Sequence, residues 1–313
     1  MNASGSAGIS VPRRWGELVS PVGHIRIAVI AVLILFIYWG TIRHALISRW
    51  LHDGNWSHGW LIPLFSLYFL GTQREVLMRC RPRAGYLGAV ILALSLAVYF
   101  ASAWRLRMTY PQGLSMVGVI FGVTLLMGGW GVIRVAWFPI LFLLFAIPLP
   151  HSIYVELTMP LRELASTVAA AVMPLFVPGL HTEAQAVVID YVMPGMPAGT
   201  LNVEEACSGM RSTMAFVTLG VAMAYLGRRP TWQRIVMVLT CVPIAVFCNT
   251  IRVVVTGLLH VNGHEDLARG TAHQVLGILM FAVALGLFAL TGYVLSHLLV
   301  EVPEEGAGEV GSA

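Results

Sequence analysis

Apolar runs of about twenty residues, separated by short polar stretches, recur along the whole chain. The lipid core offers no hydrogen-bond partners to a polypeptide backbone, so runs of this length favour membrane-spanning helices. We therefore predict an all-α polytopic membrane protein. About eight transmembrane helices are expected, near residues 25–42, 60–71, 86–103, 114–130, 135–149, 208–227, 235–259 and 274–298.

The stretch 155–177 departs from this pattern. It carries Glu156, Arg162 and Glu163, with prolines at three nearby positions. If it crossed the membrane, the arginines after the next helix would face outward, against the usual preference for cytoplasmic positive charge. We interpret it as one interfacial or re-entrant helix.

A second irregular stretch, residues 184–203, alternates polar and apolar positions and contains turn-forming Pro and Gly. This pattern predicts a short external β-hairpin with strands at 186–191 and 200–203. The remaining organisation is simple. We predict a cytoplasmic N-terminal tail (1–23), a single transmembrane domain (24–299) and a disordered cytoplasmic tail (300–313), with no additional C-terminal soluble domain.

Composition agrees with a membrane protein. Hydrophobic residues make up 58% of the chain and charged residues only 11%, whereas a soluble domain carries about 25% charged residues. The net charge of +4 arises from arginine clusters between apolar runs, near 74–83 and 228–234. These clusters predict the cytoplasmic side. Without a long basic face we expect the lipid bilayer, and no nucleic acid, as a partner, and we predict no metal or cofactor.

Candidate chemistry is concentrated in the stretch Val203 to Arg211, V-E-E-A-C-S-G-M-R. A cysteine at a helix start meets partial positive charge from unpaired backbone N–H groups, which favours the thiolate. Cys207 is thus a candidate nucleophile, with Ser208 and Arg211 as supporting residues. The alternatives are that Cys207 is a small buried hydrophobe and that Arg211 extends to the membrane interface.

The expected topology places two further groups at the level of this thiol. Arg252 lies 18 residues after Arg234, or about 27 Å of helix, and Cys207 lies 21 residues before Arg228, or about 32 Å. Both distances are close to the hydrocarbon thickness of about 30 Å. His273 begins the last span from the same side. A thiol, a guanidinium and an imidazole at one depth are the groups needed for thiol-based acyl transfer.

Each group also has a structural interpretation. Arg252 stands in an apolar run, where an arginine is costly and usually functional, but it could also extend to the nearby interface. Asn249, about one turn earlier, could orient its guanidinium. His273 could be a helix cap, and the roles of Arg252 and His273 are interchangeable on sequence grounds.

Four motifs, in order, resemble those of the exosortase/archaeosortase family over most of the chain. V-E-E-A-C-S-G-M-R-S resembles the cysteine motif, Asn249-Thr-Ile-Arg252 the arginine motif, and Gly270-Thr-Ala-His-Gln the third motif, which is His in bacterial exosortases. Trp56-Ser-His-Gly-Trp-Leu-Ile-Pro63 resembles the early S-H-G-x-L-x-P signature. That match makes His58 a candidate supporting or substrate-binding residue.

The resemblance implies a membrane-embedded cysteine transpeptidase, or thiol protease, in a bacterial inner membrane with its site at the external face. Cys207 would be the nucleophile, Arg252 the substrate or oxyanion residue and His273 the acid/base. Its partners would be membrane-anchored secreted proteins with a C-terminal sorting signal: a Pro-Glu-Pro-like motif, a transmembrane helix and a basic tail. The alternative function is a polytopic transporter or a scaffold for exopolysaccharide export. The oligomeric state stays open.

Overall fold

A computed structural model of the chain describes residues 21–80, 83–195, 197–202, 210–227, 229–264 and 271–298. Residues 210–212, 271–274 and 298 are described by their helical backbone alone. Contacts divide the chain into two compact units, Met1–Tyr154 and Val155–Ala313. Both units are mostly helical, as predicted.

Six α-helices build the first unit within the described residues. They are α1 (Pro21–Gly40), α2 (Ser48–His52), α3 (Leu61–Thr72), α4 (Arg74–Arg79), α5 (Leu87–Phe100) and α6 (Thr109–Phe142). Two π-helical segments, π1 (Thr41–Ile47) and π2 (Ala101–Leu106), extend α1 and α5. A 3₁₀ helix, Gly54–Trp60, leads into α3, and another, Leu143–Ala146, ends α6.

Helix α6 is folded back on itself at Gly129. Gly129 has φ 70° and ψ −169°, outside the helical region, and glycine reaches positive φ without the steric cost of a Cβ. A Cβ on Gly113, near the start of α6, would lie 2.6 Å from Ile147 beyond its end. The two halves therefore run side by side, and they meet where the predicted fourth and fifth spans were expected to join.

Five helical stretches among the described residues are long and apolar enough to cross a membrane. They are Pro21–His52, Leu87–Leu106, Thr109–Ala146, Thr231–Val261 and Val275–His297. The expected count of about eight is not confirmed. Helix α3, at the expected second span, has only 12 residues, and the apolar helix after Cys207, Thr213–Leu226, is also short. A span normally needs about 20 residues.

The second unit joins helices to a small sheet. Helix α7 (His151–Val172) crosses the boundary between the units, and the later helices are α8 (Met210–Leu226), α9 (Thr231–Leu239), α10 (Cys241–Val261) and α11 (Thr271–Leu298). The strands are β1 (His181–Gln185), β2 (Val188–Val192) and β3 (Gly199–Asn202).

Helix α7, expected to be interfacial or re-entrant, is not among the five candidate spans. Its buried positions recur every three or four residues, which is the spacing of one helix face. That face includes Thr158, Arg162, Ser166 and Ala169, each at most 5% exposed. The Ser166 hydroxyl donates to the Ala186 carbonyl, so α7 is tied to the sheet. Whether α7 spans the membrane stays a prediction.

The predicted hairpin is part of a three-stranded antiparallel sheet in the order β1-β2-β3. Residues 188–192 and 199–202 form strands close to the expected positions, but β1 was not expected. Its pattern of polar residues resembles a loop, and it pairs from His181 opposite Val192 to Gln185 opposite Val188. Ala186 lies in the tight turn between β1 and β2 at φ 54°, rather than in a strand.

Helix α10 contributes to two hydrophobic clusters. Its first half packs with α8 and α11 through Cys241, Cys248 and Phe288, among others. Its second half packs with α7 and the sheet through Val253 and Val261. The span expected near 235–259 lies within the candidate span Thr231–Val261, in which α9 ends at Leu239 and α10 begins at Cys241. Pro243 cannot donate to the carbonyl four residues earlier and its ring crowds that carbonyl, which explains the break.

Candidate active site

Arg252 lies in the second half of α10 and is only 6% exposed. The neighbouring Cys248 belongs to the helical cluster, while Val253 belongs to the cluster that includes the sheet. The guanidinium is therefore held at the junction of the helices with the sheet. This burial contradicts the alternative interpretation, in which the Arg252 side chain extends to the membrane interface and its head group is solvated.

A glycine of α11 makes room for this guanidinium. The position that a Cβ would take on Gly277 is 3.8 Å from Arg252 Nη2 and 4.0 Å from its Cζ. Sequence reasoning did not single out Gly277. The available signal was its spacing, because Gly277 follows His273 by four residues and lies on the same face of α11. The backbone of His273 is thus one turn from the helix surface against which Arg252 rests.

A second close approach fixes the register of the three helices. A Cβ on Gly220 of α8 would overlap the Cys241 sulfur and lie 2.8 Å from Phe288 Cε1. Counted from this layer, the start of α8 at Met210 is 10 residues away, or about 15 Å. Arg252 is 11 residues from Cys241, and Gly277 is 11 residues from Phe288, which is about 17 Å in each case. The start of α8, Arg252 and Gly277 therefore share one level.

Cys207 and Ser208 lie outside the described residues, between the end of β3 and the start of α8. Both of these flanking elements are placed near Arg252. Leu201 of β3 packs on α10, where its Cδ2 is 3.0 Å from the position of a Cβ on Gly257. Gly257 is five residues beyond Arg252, or about 8 Å along the helix.

Asn249 and Arg211 are the supporting residues of this unit whose backbone the structure describes. Asn249 precedes Arg252 by about one helical turn, as expected. Within the part of the chain that the structure describes, its Oδ1 is buried and has no hydrogen-bond partner. A buried amide oxygen without a partner is rare and is typical of sites that receive a ligand or water. Arg211 lies in the first turn of α8, but its side chain is outside the description.

His58 belongs to the first unit, where it lies in the 3₁₀ helix Gly54–Trp60. Its ring lies 5.9 Å from that of Trp56, which in turn lies 6.2 Å from that of Tyr154. Both ring nitrogens of His58 are buried, and neither has a hydrogen-bond partner among the described residues. Burial lowers the pKa of His58 from 6.5 to about 4. The ring is consequently neutral at physiological pH and is available as a donor and an acceptor.

The glycine of the same motif has a direct steric role. A Cβ on Gly59 would overlap the indole of Trp50, whose Nε1 donates to the Ala146 carbonyl at 2.9 Å. Glycine thus allows the 3₁₀ helix to pack on the Trp50 ring, next to His58, whose ring nitrogens are buried.

Replacing His58 by glutamine is expected to weaken the pH dependence of stability. The folded pKa is lowered, so the unfolded chain takes up the proton first as the pH falls below 6.5. The contribution of neutral His58 to the free energy of unfolding is therefore complete above pH 6.5 and is lost as the pH falls towards about 4. The shift corresponds to about 3 kcal/mol. Thermal melting between pH 7 and pH 4.5 should show a smaller decrease for His58→Gln than for the wild type; equal decreases would contradict it.

Among the described residues, no group of three or more His, Cys, Asp or Glu side chains is arranged to hold a metal ion. The thiols that the structure describes are Cys80, Cys241 and Cys248, and all three are free cysteines. This level of the second unit offers a guanidinium and an amide, and the chain segments that adjoin it carry an imidazole and a thiol.

Comparison with known families gives a match over most of the chain. The family described as transmembrane exosortase (Exosortase_EpsH) matches residues 50–290, which is more than three quarters of the chain. Neither the comparison with curated proteins nor that with solved structures found a match. The matched region includes the 3₁₀ helix with His58, the β3–α8 connection, Arg252 and His273. The chain is a multi-pass membrane protein that belongs to the transmembrane exosortase family.

Proposed function

We propose that this protein is a membrane-embedded cysteine transpeptidase that cleaves a C-terminal sorting signal of secreted proteins and transfers them to an envelope acceptor. The signal consists of a Pro-Glu-Pro-like motif, a transmembrane helix and a basic tail. The enzyme acts in a bacterial inner membrane, with its site at the external face. Exosortases are in general cysteine transpeptidases, and family membership supports this reaction class.

One observation carries the proposal for the site. The buried Arg252 guanidinium rests against Gly277, one turn from His273. The same level contains the start of α8, three residues after Cys207. Arg252, the backbone of His273 and the start of α8 lie at one end of the α8–α10–α11 bundle, which supports a shared site for the candidate residues.

The proposed reaction has two steps. The Cys207 thiolate attacks the carbonyl carbon of the scissile peptide bond, and Arg252 stabilises the oxyanion that forms. The C–N bond then breaks, the leaving amine takes a proton from His273, and a thioester remains on Cys207. In the second step an acceptor nucleophile attacks the thioester carbonyl, gives its proton to His273 and releases the thiolate. Asn249, Ser208 and Arg211 support the site, and His58 is a substrate-binding or supporting residue.

A membrane-anchored substrate suits this geometry. Its own transmembrane helix would confine it to the bilayer plane, so its cleavage motif would stay near the interface at high effective concentration. The co-expression of the protein with a candidate secreted protein that carries the tripartite signal tests the proposal. We expect a mass shift of the substrate with the wild type, and none with the alanine variants of Cys207, Arg252 and His273. Normal processing by all three variants would refute the proposal.

The edge of the sheet offers a way to align the substrate. Strand β3 pairs only with β2 among the described strands, and it leads directly into the stretch with Cys207. An extended peptide could add to this edge through main-chain hydrogen bonds. Substrates N-methylated at single residues near the cleavage motif should therefore show an alternating loss of kcat/KM of about tenfold, because only every second N–H faces β3. A loss that is uniform along the peptide would contradict strand addition.

Replacing Gly277 by a larger residue is expected to displace Arg252, and the displacement should increase with the size of the new side chain. A Cβ would meet the guanidinium at 3.8 Å, which is ordinary van der Waals contact, so Gly277→Ala should process substrate normally. Gly277→Leu should lower processing at least about tenfold, because small displacements of a positioned group have large effects on rate. Gly286→Leu is the matched control, since a Cβ on Gly286 has no atom within 4 Å among the described residues. Equal losses in both leucine variants would show that Gly277 has no special role.

A further inference from the structure

Four arginines lie at one end of the first unit, and they form what we name the arginine cluster: Arg43 in π1, Arg49 in α2, Arg105 in π2 and Arg107 directly after π2. All four side chains are exposed. None of the four guanidinium groups has a hydrogen bond or ion pair within the described part of the chain. The proposed transpeptidase chemistry does not use them.

Contacts between α1 and α5 bring Arg43 and Arg105 to one level. The rings of Tyr38 and Tyr99 lie 4.5 Å apart, and the Tyr99 hydroxyl donates to the Ile37 carbonyl at 2.7 Å. Arg43 is five residues beyond Tyr38, and Arg105 is six beyond Tyr99. Both arginines therefore lie about 8–9 Å past the tyrosine pair, in the same direction.

The start of α6 brings Arg107 to this level as well. The Thr41 hydroxyl donates to Gln112 Oε1 at 2.9 Å, and the hydroxyls of Tyr38 and Ser115 are 3.0 Å apart. Gln112 follows Arg107 by five residues, so the short connection between π2 and α6 is held beside π1. Arg107 itself has a left-handed backbone conformation, with φ 49°.

Exposed aromatic side chains give the depth of this level. Trp39 is 58% exposed and Trp104 is 86% exposed. Tryptophan side chains that project from membrane helices concentrate where the hydrocarbon meets the lipid headgroups. The exposed tryptophans beside the arginine cluster therefore support a position at the depth of lipid phosphate groups.

The charge at this end is unusual in two respects. The positive-inside pattern predicts this end to be external, where arginines are normally depleted. Acidic compensation is also small, because Asp53 is the one carboxylate near this end among the described residues, and its Oδ1 accepts the Asn55 N–H. Four guanidinium groups against one carboxylate favour an anionic ligand.

The backbone beneath the cluster is unusual too. Both π-helical segments of the described chain, π1 and π2, lie here, and three of the four arginines belong to them or directly follow them. π-helical turns are rare and occur frequently at functional sites. Two such segments at one level are unexpected for helices that only cross a bilayer.

We propose that the arginine cluster binds the phosphate group of an anionic membrane lipid in the external leaflet. Guanidinium groups pair with phosphate through two parallel hydrogen bonds, and the neighbouring tryptophans lie where the lipid glycerol region is found. This site is separate from the proposed chemistry at Cys207, so either proposal can fail alone.

The test uses the full-length protein in nanodiscs with a trace of photo-crosslinkable phosphatidylglycerol, or of the matching phosphatidylcholine, activated near the headgroup. Labelled peptides from residues 39–60 and 100–113 are quantified by mass spectrometry. The variant Arg43→Gln/Arg105→Gln/Arg107→Gln removes three charges from the cluster. The control Arg79→Gln/Arg83→Gln/Arg134→Gln removes three exposed charges from segments predicted to be cytoplasmic. Melting temperatures establish that both variants are folded.

We expect phosphatidylglycerol to label these peptides at least about tenfold more than phosphatidylcholine. The cluster variant should abolish that preference and the control should keep it. Equal labelling by the two lipids, an unchanged preference in the cluster variant, or an equal loss in both variants would overturn the proposal. Inorganic phosphate is added in a further arm. Loss of labelling at low phosphate concentration would assign the site to a soluble anion and would also overturn it.

Discussion

Replacing Cys207 by alanine is expected to abolish both substrate cleavage and the covalent intermediate. The thiolate is the group that forms the new bond, and the described thiols of the second unit, Cys241 and Cys248, are buried in the cluster that α10 forms with α8 and α11. Loss of a nucleophile costs on the order of 10³–10⁶ in rate. Substrate processing and intact-mass detection of a thioester on the enzyme measure both effects.

The control for this prediction is Cys80→Ala, which removes a thiol beside the first unit's α4, where its Sγ donates to the Val76 carbonyl. That variant should process substrate at the wild-type rate. A Cys207→Ala variant that still processes substrate, or a thioester found on another cysteine, would show that Cys207 is not the nucleophile. A Cys207→Ser variant adds a further distinction, because a transporter or scaffold would retain its function with serine at this position.

Replacing Arg252 by lysine or glutamine is expected to lower kcat/KM about 10²–10³-fold while the protein stays folded. Removal of one oxyanion-stabilising donor typically has an effect of this size. Lysine keeps the charge, but it lacks the planar fork of donors that the guanidinium presents. The loss should fall mainly on kcat, because the charge being stabilised develops only in the transition state.

Arg229 provides a matched control for this substitution. Both arginines rest against a glycine of α11, and Arg229 Nη1 donates to the Gly292 carbonyl at 2.6 Å. Gly292 is 15 residues from Gly277, or about 22 Å along the helix, at the opposite end of the bundle. Arg229→Lys should therefore lower the melting temperature with little change in kcat. If both variants lose activity only in proportion to stability, Arg252 is a structural residue.

Several elements of the fold could be predicted from hydrophobic pattern alone. Long apolar runs predicted the five stretches now found as candidate spans. Each run satisfies its own backbone hydrogen bonds as a helix and places its own apolar side chains in lipid, so it can be recognised without knowledge of its neighbours. A reversal was expected between the runs 114–130 and 135–149, and the structure has it at Gly129. Strand β1 was missed because its side chains alternate only between half-buried and exposed positions. Its pairing with β2 is a tertiary contact that local propensity does not encode.

The candidate site was predictable in depth but not in contacts. Counting residues from the arginine clusters placed Arg252 near one membrane boundary, and the layer of Gly220, Cys241 and Phe288 independently places it level with the start of α8. The contact between Arg252 and Gly277 could not be predicted, because spacing along one helix contains no information on its register against another. Glycines at both close approaches show where helix backbones need room for a neighbour's side chain.

The central claim is that Cys207 and His273 lie at one end of the α8–α10–α11 bundle, within reach of a single substrate bond. Thiol crosslinking tests this distance without any substrate. His273→Cys and Gly286→Cys each place a thiol on α11, and the two positions are 13 residues apart, or about 20 Å. A bifunctional thiol reagent with a span of about 8 Å is applied to each folded variant in membranes, and mass spectrometry identifies the linked peptides. We predict a crosslink between Cys207 and position 273, and none between Cys207 and position 286. Equal crosslinking at both positions, or a crosslink only at 286, would contradict the account.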